Sequence, residues 1–297
     1  MNPENDSTMT GRPLEGKAIG ISVALGEDHA RCGYGAEEMN RTVVRLSEVL
    51  LSAGARLVFG HDWRPSGIMS AIARLAVAYD EGGAAWEDRP QRSGCRITNL
   101  VPWGRTPELP LEIREDLEER GLLRIEVTPM PGELADRESE FGQRIMLAAS
   151  LSATRRRLAS LCDARICLGG KYHRYEGFFP GVLEEALDSA SQPGGSPILV
   201  SSMMGGLAGM LVTAAKEKMW DKLPSLNGDP EIRKGYDELR ASGLIPLPDI
   251  EKASYLLDWN SLQKRSRLSP GDWECLTGAR DIEVVCAMAV KALGRGR

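Results

Sequence analysis

Gly169-Gly170-Lys171 closes a short apolar run, residues 164–168, that only Arg165 interrupts. Shortly after it, Pro180-Gly181 opens a segment of helical pattern with Glu184 and Glu185 in its first turn. Paired glycines at a strand end let backbone N–H groups approach a ligand, and a helix N-terminus behind them favours an anion. Lys171 adds a positive charge at the same place. The two carboxylates need another reason, because they would repel a phosphate. They could accept hydrogen bonds from sugar hydroxyls, act as a general base, or complement the helix dipole. Together these residues point to a sugar phosphate or a nucleotide, with the question of chemistry open.

The elements that must position them alternate. Strand-like apolar runs cover residues 17–24, 56–60, 95–101, 123–127, 164–168 and 197–201. Helical patterns fall between them at 39–54, 68–79, 111–119, 138–162, 182–190 and 209–218, and residues 219–297 read as helical and connecting material. Polar, glycine-bearing loops follow the strand ends. That order argues for a parallel sheet flanked by helices, an α/β fold with a helical C-terminal extension. Ligands in such sheets bind at the carboxyl ends of the strands. Residues 1–14 read as a flexible leader and 15–297 as a single domain.

Composition narrows the function classes. The 297 residues carry a net charge of -5, which argues against a general nucleic-acid binder. No run approaches the ~18 apolar residues that a membrane span needs, and the polar N-terminus is no signal peptide. The six cysteines never stand at C-x-x-C spacing, so buried thiols in a cytoplasmic protein fit better than disulfides or zinc. With three histidines and no metal-ligand spacing, neither a metal site nor a Ser-His-Asp or Cys-His arrangement can be assembled. Trp63, in a polar loop, suggests stacking or an interface.

Two loops resemble a known family. Leu57 to Met69, with Gly60, His61, Asp62, Arg64 and Gly67, resembles the strand, glycine loop and helix start of LOG-type (Lonely Guy, lysine decarboxylase-like) proteins. Gly169-Gly170 and Gly181 to Glu185 resemble their P-G-G-x-G-T-x-x-E signature, opened here by an insertion. The order Arg155, Gly169-Gly170-Lys171, Pro180 to Glu185, Gly205-Gly206 is similar to the wider SLOG superfamily. Its sensor branches accompany sirtuin-type and TIR proteins in prokaryotic defence. The resemblance implies a Rossmann-like fold that binds a nucleotide-derived ligand.

The departures shift the expected activity. Val182 stands where the enzymes carry a threonine hydroxyl, Leu168 where they carry proline, and Thr154-Arg155 where they carry Arg-Lys. Residues 171–179 bring aromatics that would stack on a base. The resemblance therefore implies a sensor that binds an NAD-derived, ADP-ribose-like nucleotide without a cofactor. It would regulate a separate effector protein and act as a homo-oligomer. Arg155 and Lys171 would meet phosphates at helix N-termini, and Glu184 or Glu185 would accept ribose hydroxyls. Ser22, Gly60, His61, Asp62, Arg64, Gly67, Gly169, Gly170, Gly181, Gly205 and Gly206 complete the expected contacts. The alternative is a LOG-like nucleoside 5'-monophosphate phosphoribohydrolase with Glu185 as its catalytic residue.

Overall fold

Aliphatic and β-branched runs become strands that pair side by side. The computed structural model describes residues 12–64, 67–81, 95–108, 110–130, 139–224, 226–243, 247 and 249–294. The strands are β1 (Ala18–Ala24), β2 (Arg56–Gly60), β3 (Ile97–Pro102), β4 (Leu123–Thr128), β5 (Ala164–Gly169) and β6 (Ile198–Ser201). They form a six-stranded sheet in the order β4-β3-β2-β1-β5-β6, with every pair parallel. β5 and β6 are buried along their whole length, as strands covered on both faces must be. β4, at one edge, alternates buried with more exposed residues, whereas β6, at the other edge, is covered by two helices from the C-terminal part of the chain.

The chain runs outward from β1 to β4 and then returns to lay β5 on the other side of β1. That reversal opens a crevice beyond the carboxyl ends of β1 and β5. One face is covered by α1 (Ala36–Ser52) and α2 (Ile68–Glu81), whose Leu46, Leu50 and Ile72 share a core with Leu57 and Phe59. The other face is covered by α4 (Glu140–Leu161), where Leu158 and the adjoining Cys162 pack on Ala18, Val58 and Leu100. The Ser139 side chain caps α4 by accepting from the Gly142 N–H at 2.9 Å. α3 (Leu111–Glu119) leads into β4, and α5 (Gly181–Ala190) and α6 (Gly206–Glu217) follow β5 and β6.

The C-terminal helices are α7 (Pro230–Ser242), α8 (Ala253–Leu256), α9 (Trp259–Ser266), α10 (Pro270–Thr277) and α11 (Ile282–Gly294). Of these, α8 to α11 pack into the main core. Trp273 is fully buried in the same core as Ile198 and Leu199, and the Ser202 N–H donates to the Thr277 carbonyl at 3.2 Å. Residues 1–11 of the expected leader lie outside the described residues, whereas Leu14 is fully buried and its N–H donates to the Ala53 carbonyl at 2.8 Å. No helix among the described residues is long and apolar enough to cross a membrane.

Two aromatic expectations change. Trp63 is no stacking platform: it is 5% exposed, and its Nε1 donates to Asn99 Oδ1 at 2.9 Å, which binds the loop to β3. Phe178 and Phe179 are buried as well, edge-on to Tyr236 of α7, so they cannot stack on a base.

Close backbone approach dictates glycine at the strand ends. A Cβ on Gly26 would lie 2.5 Å from Cα of Gly206 and 2.9 Å from the Gly170 carbonyl oxygen. A Cβ on Gly206 would lie 2.6 Å from that same oxygen, so three loops meet backbone to backbone. Within β1, a Cβ on Gly20 would meet Cys162 Sγ at 2.8 Å and Arg165 Cζ at 3.1 Å. Gly20→Ala is expected to destabilise by about 1–3 kcal/mol through overpacking. Urea unfolding checks this: the midpoint falls with an unchanged slope.

Candidate functional site

The crevice carries a cleft of about 300 Å³. Val23 and Ala24 of β1, Gly60 and His61 at the end of β2, Pro102 of β3 and Lys171 after β5 form its rim. Leu151, Thr154, Arg155 and Leu158 of α4 line a wall, and α5 contributes Gly181, Val182 and Glu185. The segment after β5 overhangs the cleft with Arg174, Tyr175 and Glu176. Glu27 holds this segment by accepting from the Tyr172 and His173 N–H groups at 3.1 and 2.8 Å. The Asn227 side chain holds it from the other end through the Tyr175 and Gly177 carbonyls, each at 3.0 Å.

Glu185 reaches the cleft from just past the first turn of α5, and its Oε2 accepts hydrogen bonds from Ser22 Oγ and, at 2.8 Å, from Arg165 Nη1. Arg165 is 1% exposed and lies between the sheet and α5. Its Nη1 also donates to Ser22 Oγ at 2.9 Å and its Nε to Ser189 Oγ at 2.6 Å. A buried guanidinium is tolerable only when its N–H groups and charge find such partners. On either side of Arg165, burial pushes the Cys162 thiol up to about 11 and the Cys167 thiol up to about 12. Both therefore stay protonated at neutral pH and supply no thiolate nucleophile.

Arg155 is committed within the protein. Its Nη1 donates to the Glu184 carboxylate and, at 3.4 Å, to the Phe179 carbonyl, while part of the side chain still faces the cleft. The three consecutive arginines diverge: Arg156 points to Asp188 at 4.0 Å and Arg157 to Glu126 at 2.7 Å. Glu184 is fully buried, with Oε1 unpaired, and does not line the cleft. Asp188, one turn further along α5, is pushed up to about 7 by burial and by the Glu184 charge, against the pull of Arg156, Arg165 and Arg155.

Of the sequence-predicted residues, the structure brings Gly60, His61, Asp62, Arg64, Arg155, Lys171, Gly181 and Glu185 to one cleft, with Ser22 behind Glu185. It leaves Gly67, Gly169, Gly170, Glu184, Gly205 and Gly206 off the cleft lining. Asp62 also caps α2, accepting from the Ile68 N–H at 3.2 Å, and Gly67 fits closely beside it. The N-terminus of α6 holds an internal anion: Asp28 Oδ1 accepts from the Gly206 N–H at 2.8 Å. A phosphate at α6 would have to displace that carboxylate, so the expected use of both helix N-termini reduces to α5. Val182, in place of a hydroxyl, packs toward Gly170.

Arg105, Arg174, Tyr175, Thr154 and Arg165 were not singled out as site residues by sequence. A lone arginine in an otherwise apolar strand was the available signal for Arg165. Arg64 pairs with Asp62, Arg105 with Glu176 and Arg155 with Glu184. Among the described residues Lys171 and Arg174 form no ion pair, so theirs are the uncompensated charges on the cleft. No cluster of His, Cys, Asp and Glu among the described residues could hold a metal ion.

No curated protein and no solved structure matches the chain. The family model described as SLOG cluster2 matches residues 13–267, a span that holds all six strands, the cleft and the glycine loops. The match covers most of the chain, which belongs to the SLOG superfamily.

Proposed function

We propose that the cleft binds a nucleotide-derived ligand of the ADP-ribose type, one that originates from NAD. The observation that carries this reading is the pairing of unlike groups across one small cleft. Lys171 and the open α5 N-terminus offer positive charge for a phosphate, and Glu185, held by Ser22 and Arg165, offers an acceptor for a sugar hydroxyl. A volume near 300 Å³ lies at the lower end of the ~300–1,000 Å³ typical of ligand pockets. It suits one nucleoside monophosphate moiety, with the rest of a larger ligand extending past Arg174 and Tyr175. A separate effector that reads the bound state, a homo-oligomeric assembly and a cytoplasmic location complete the proposal.

A thermal-shift series with AMP, ADP-ribose and NAD tests it. A ligand at a hundred times its Kd stabilises by about 2.7 kcal/mol, and no shift with any of the three defeats the reading. Lys171→Ala is expected to weaken binding of the phosphate-bearing ligand by about tenfold, the value of one charge-assisted hydrogen bond, in isothermal titration. The presence of Glu185 on the cleft favours a second reading, hydrolysis of the N-glycosidic bond of a nucleoside monophosphate. Free base released from AMP by the wild-type chain, and abolished by Glu185→Gln, would establish it.

A further inference from the structure

Arg165 stands in the middle of a buried strand, where an aliphatic side chain would be expected, and four surrounding positions accommodate it. Gly20, paired with it across the sheet, leaves the room that any side chain would fill. Ser189 takes the Nε–H at 2.6 Å, and Ser22 accepts from Nη1 at 2.9 Å while donating to Glu185 Oε2. Glu185 completes the triangle at 2.8 Å. The guanidinium is sealed from solvent, whereas the Glu185 side chain is 15% exposed and lies on the cleft.

We infer that Arg165 is a positioning residue that makes Glu185 a fixed hydrogen-bond acceptor, so that the cleft selects a ligand bearing a ribose hydroxyl over its deoxy counterpart. The inference rests on the nucleotide reading above and adds the determinant of sugar selectivity. Oε2 is used twice inside the protein, which leaves Oε1 for the ligand. Two donors from behind fix the direction in which the carboxylate presents that oxygen. A carboxylate so placed repels a phosphate and rewards a hydroxyl donor. A site built to meet a hydroxyl disfavours the analogue that lacks it, because its own polar group then goes unpaired. If Arg165 merely tied α5 to the sheet, its loss would weaken all ligands alike.

The test is isothermal titration of AMP, 2'-deoxy-AMP, 3'-deoxy-AMP and inorganic pyrophosphate into the wild-type chain, Arg165→Met and Ser22→Ala. The wild type is expected to prefer AMP over at least one deoxy analogue by about tenfold or more. In Arg165→Met that preference falls to about twofold or less, while pyrophosphate affinity stays within about twofold, since the phosphate contacts are elsewhere. Ser22→Ala, a small change that leaves the guanidinium in place, gives an intermediate preference and decides the matter if Arg165→Met does not fold. Full discrimination in either folded variant, or equal losses for AMP and pyrophosphate, overturns the inference. Wild-type binding of AMP without discrimination also overturns it but leaves the nucleotide reading intact. A wild-type chain that binds neither AMP nor ADP-ribose defeats that reading itself.

Discussion

Trp273→Ala is expected to lower the unfolding midpoint by about 10 °C, because emptying a buried tryptophan site costs about 3–5 kcal/mol. The indole is fully buried in α10, tilted against Trp259 at a centroid distance of 5.4 Å, and shares its core with β6. A separable appendage would respond differently. Its helices would melt in an early transition while the sheet kept the wild-type midpoint. Circular dichroism and intrinsic fluorescence recorded together distinguish the outcomes: one shared, shifted transition supports a common core, and two transitions refute it.

Asp188→Asn is expected to stabilise the protein most at pH 8 and only about a third as much at pH 5. Asp188 is pushed up to about 7, from the usual carboxylate value near 3.9 in the unfolded chain. Between those values the folded state keeps a proton that the unfolded state has released. Stability therefore falls as pH rises from about 4 to about 7 and levels off above that window. Above pH 7 the ionised carboxylate is buried beside Glu184, with Arg156 as its nearest cation at 4.0 Å. Asparagine carries no charge to bury, so the variant gains a few kcal/mol at pH 8, or roughly 5–10 °C in midpoint. Thermal melts of both proteins from pH 5 to pH 8 provide the check, and a difference independent of pH would exclude this account.

Much of the sheet was legible because fully buried parallel strands leave an unbroken apolar signal. Arg56–Gly60 and Leu111–Glu119 have the bounds that the sequence pattern predicts. α6 begins at Gly206 rather than at residue 209, because two glycines conceal a helix start that Asp28 caps from another loop. No local pattern can announce a cap supplied from so far along the chain. The same limit separates Glu184 from Glu185. Adjacent on a helix, they diverge by about 100°, and which one faces ligand depends on where α4 lies. The sequence marks both; packing sends Glu184 to Arg155 and Glu185 to the cleft. Trp63, Phe178 and Phe179 follow the same rule, since a polar neighbourhood in sequence does not reveal a partner such as Asn99 or Tyr236.

The backbone contact among Gly26, Gly170 and Gly206 bears on how a map of mutational tolerance should be interpreted. In a saturation library these three positions would score as intolerant as any ligand contact, although none lines the cleft. Their intolerance would persist in a screen for abundance alone. If the proposed ligand binds there, substitutions at Lys171, on the exposed rim, would be silent in that screen and costly only when binding is scored. Subtracting one map from the other would separate the keystone of the scaffold from the residues that meet the ligand.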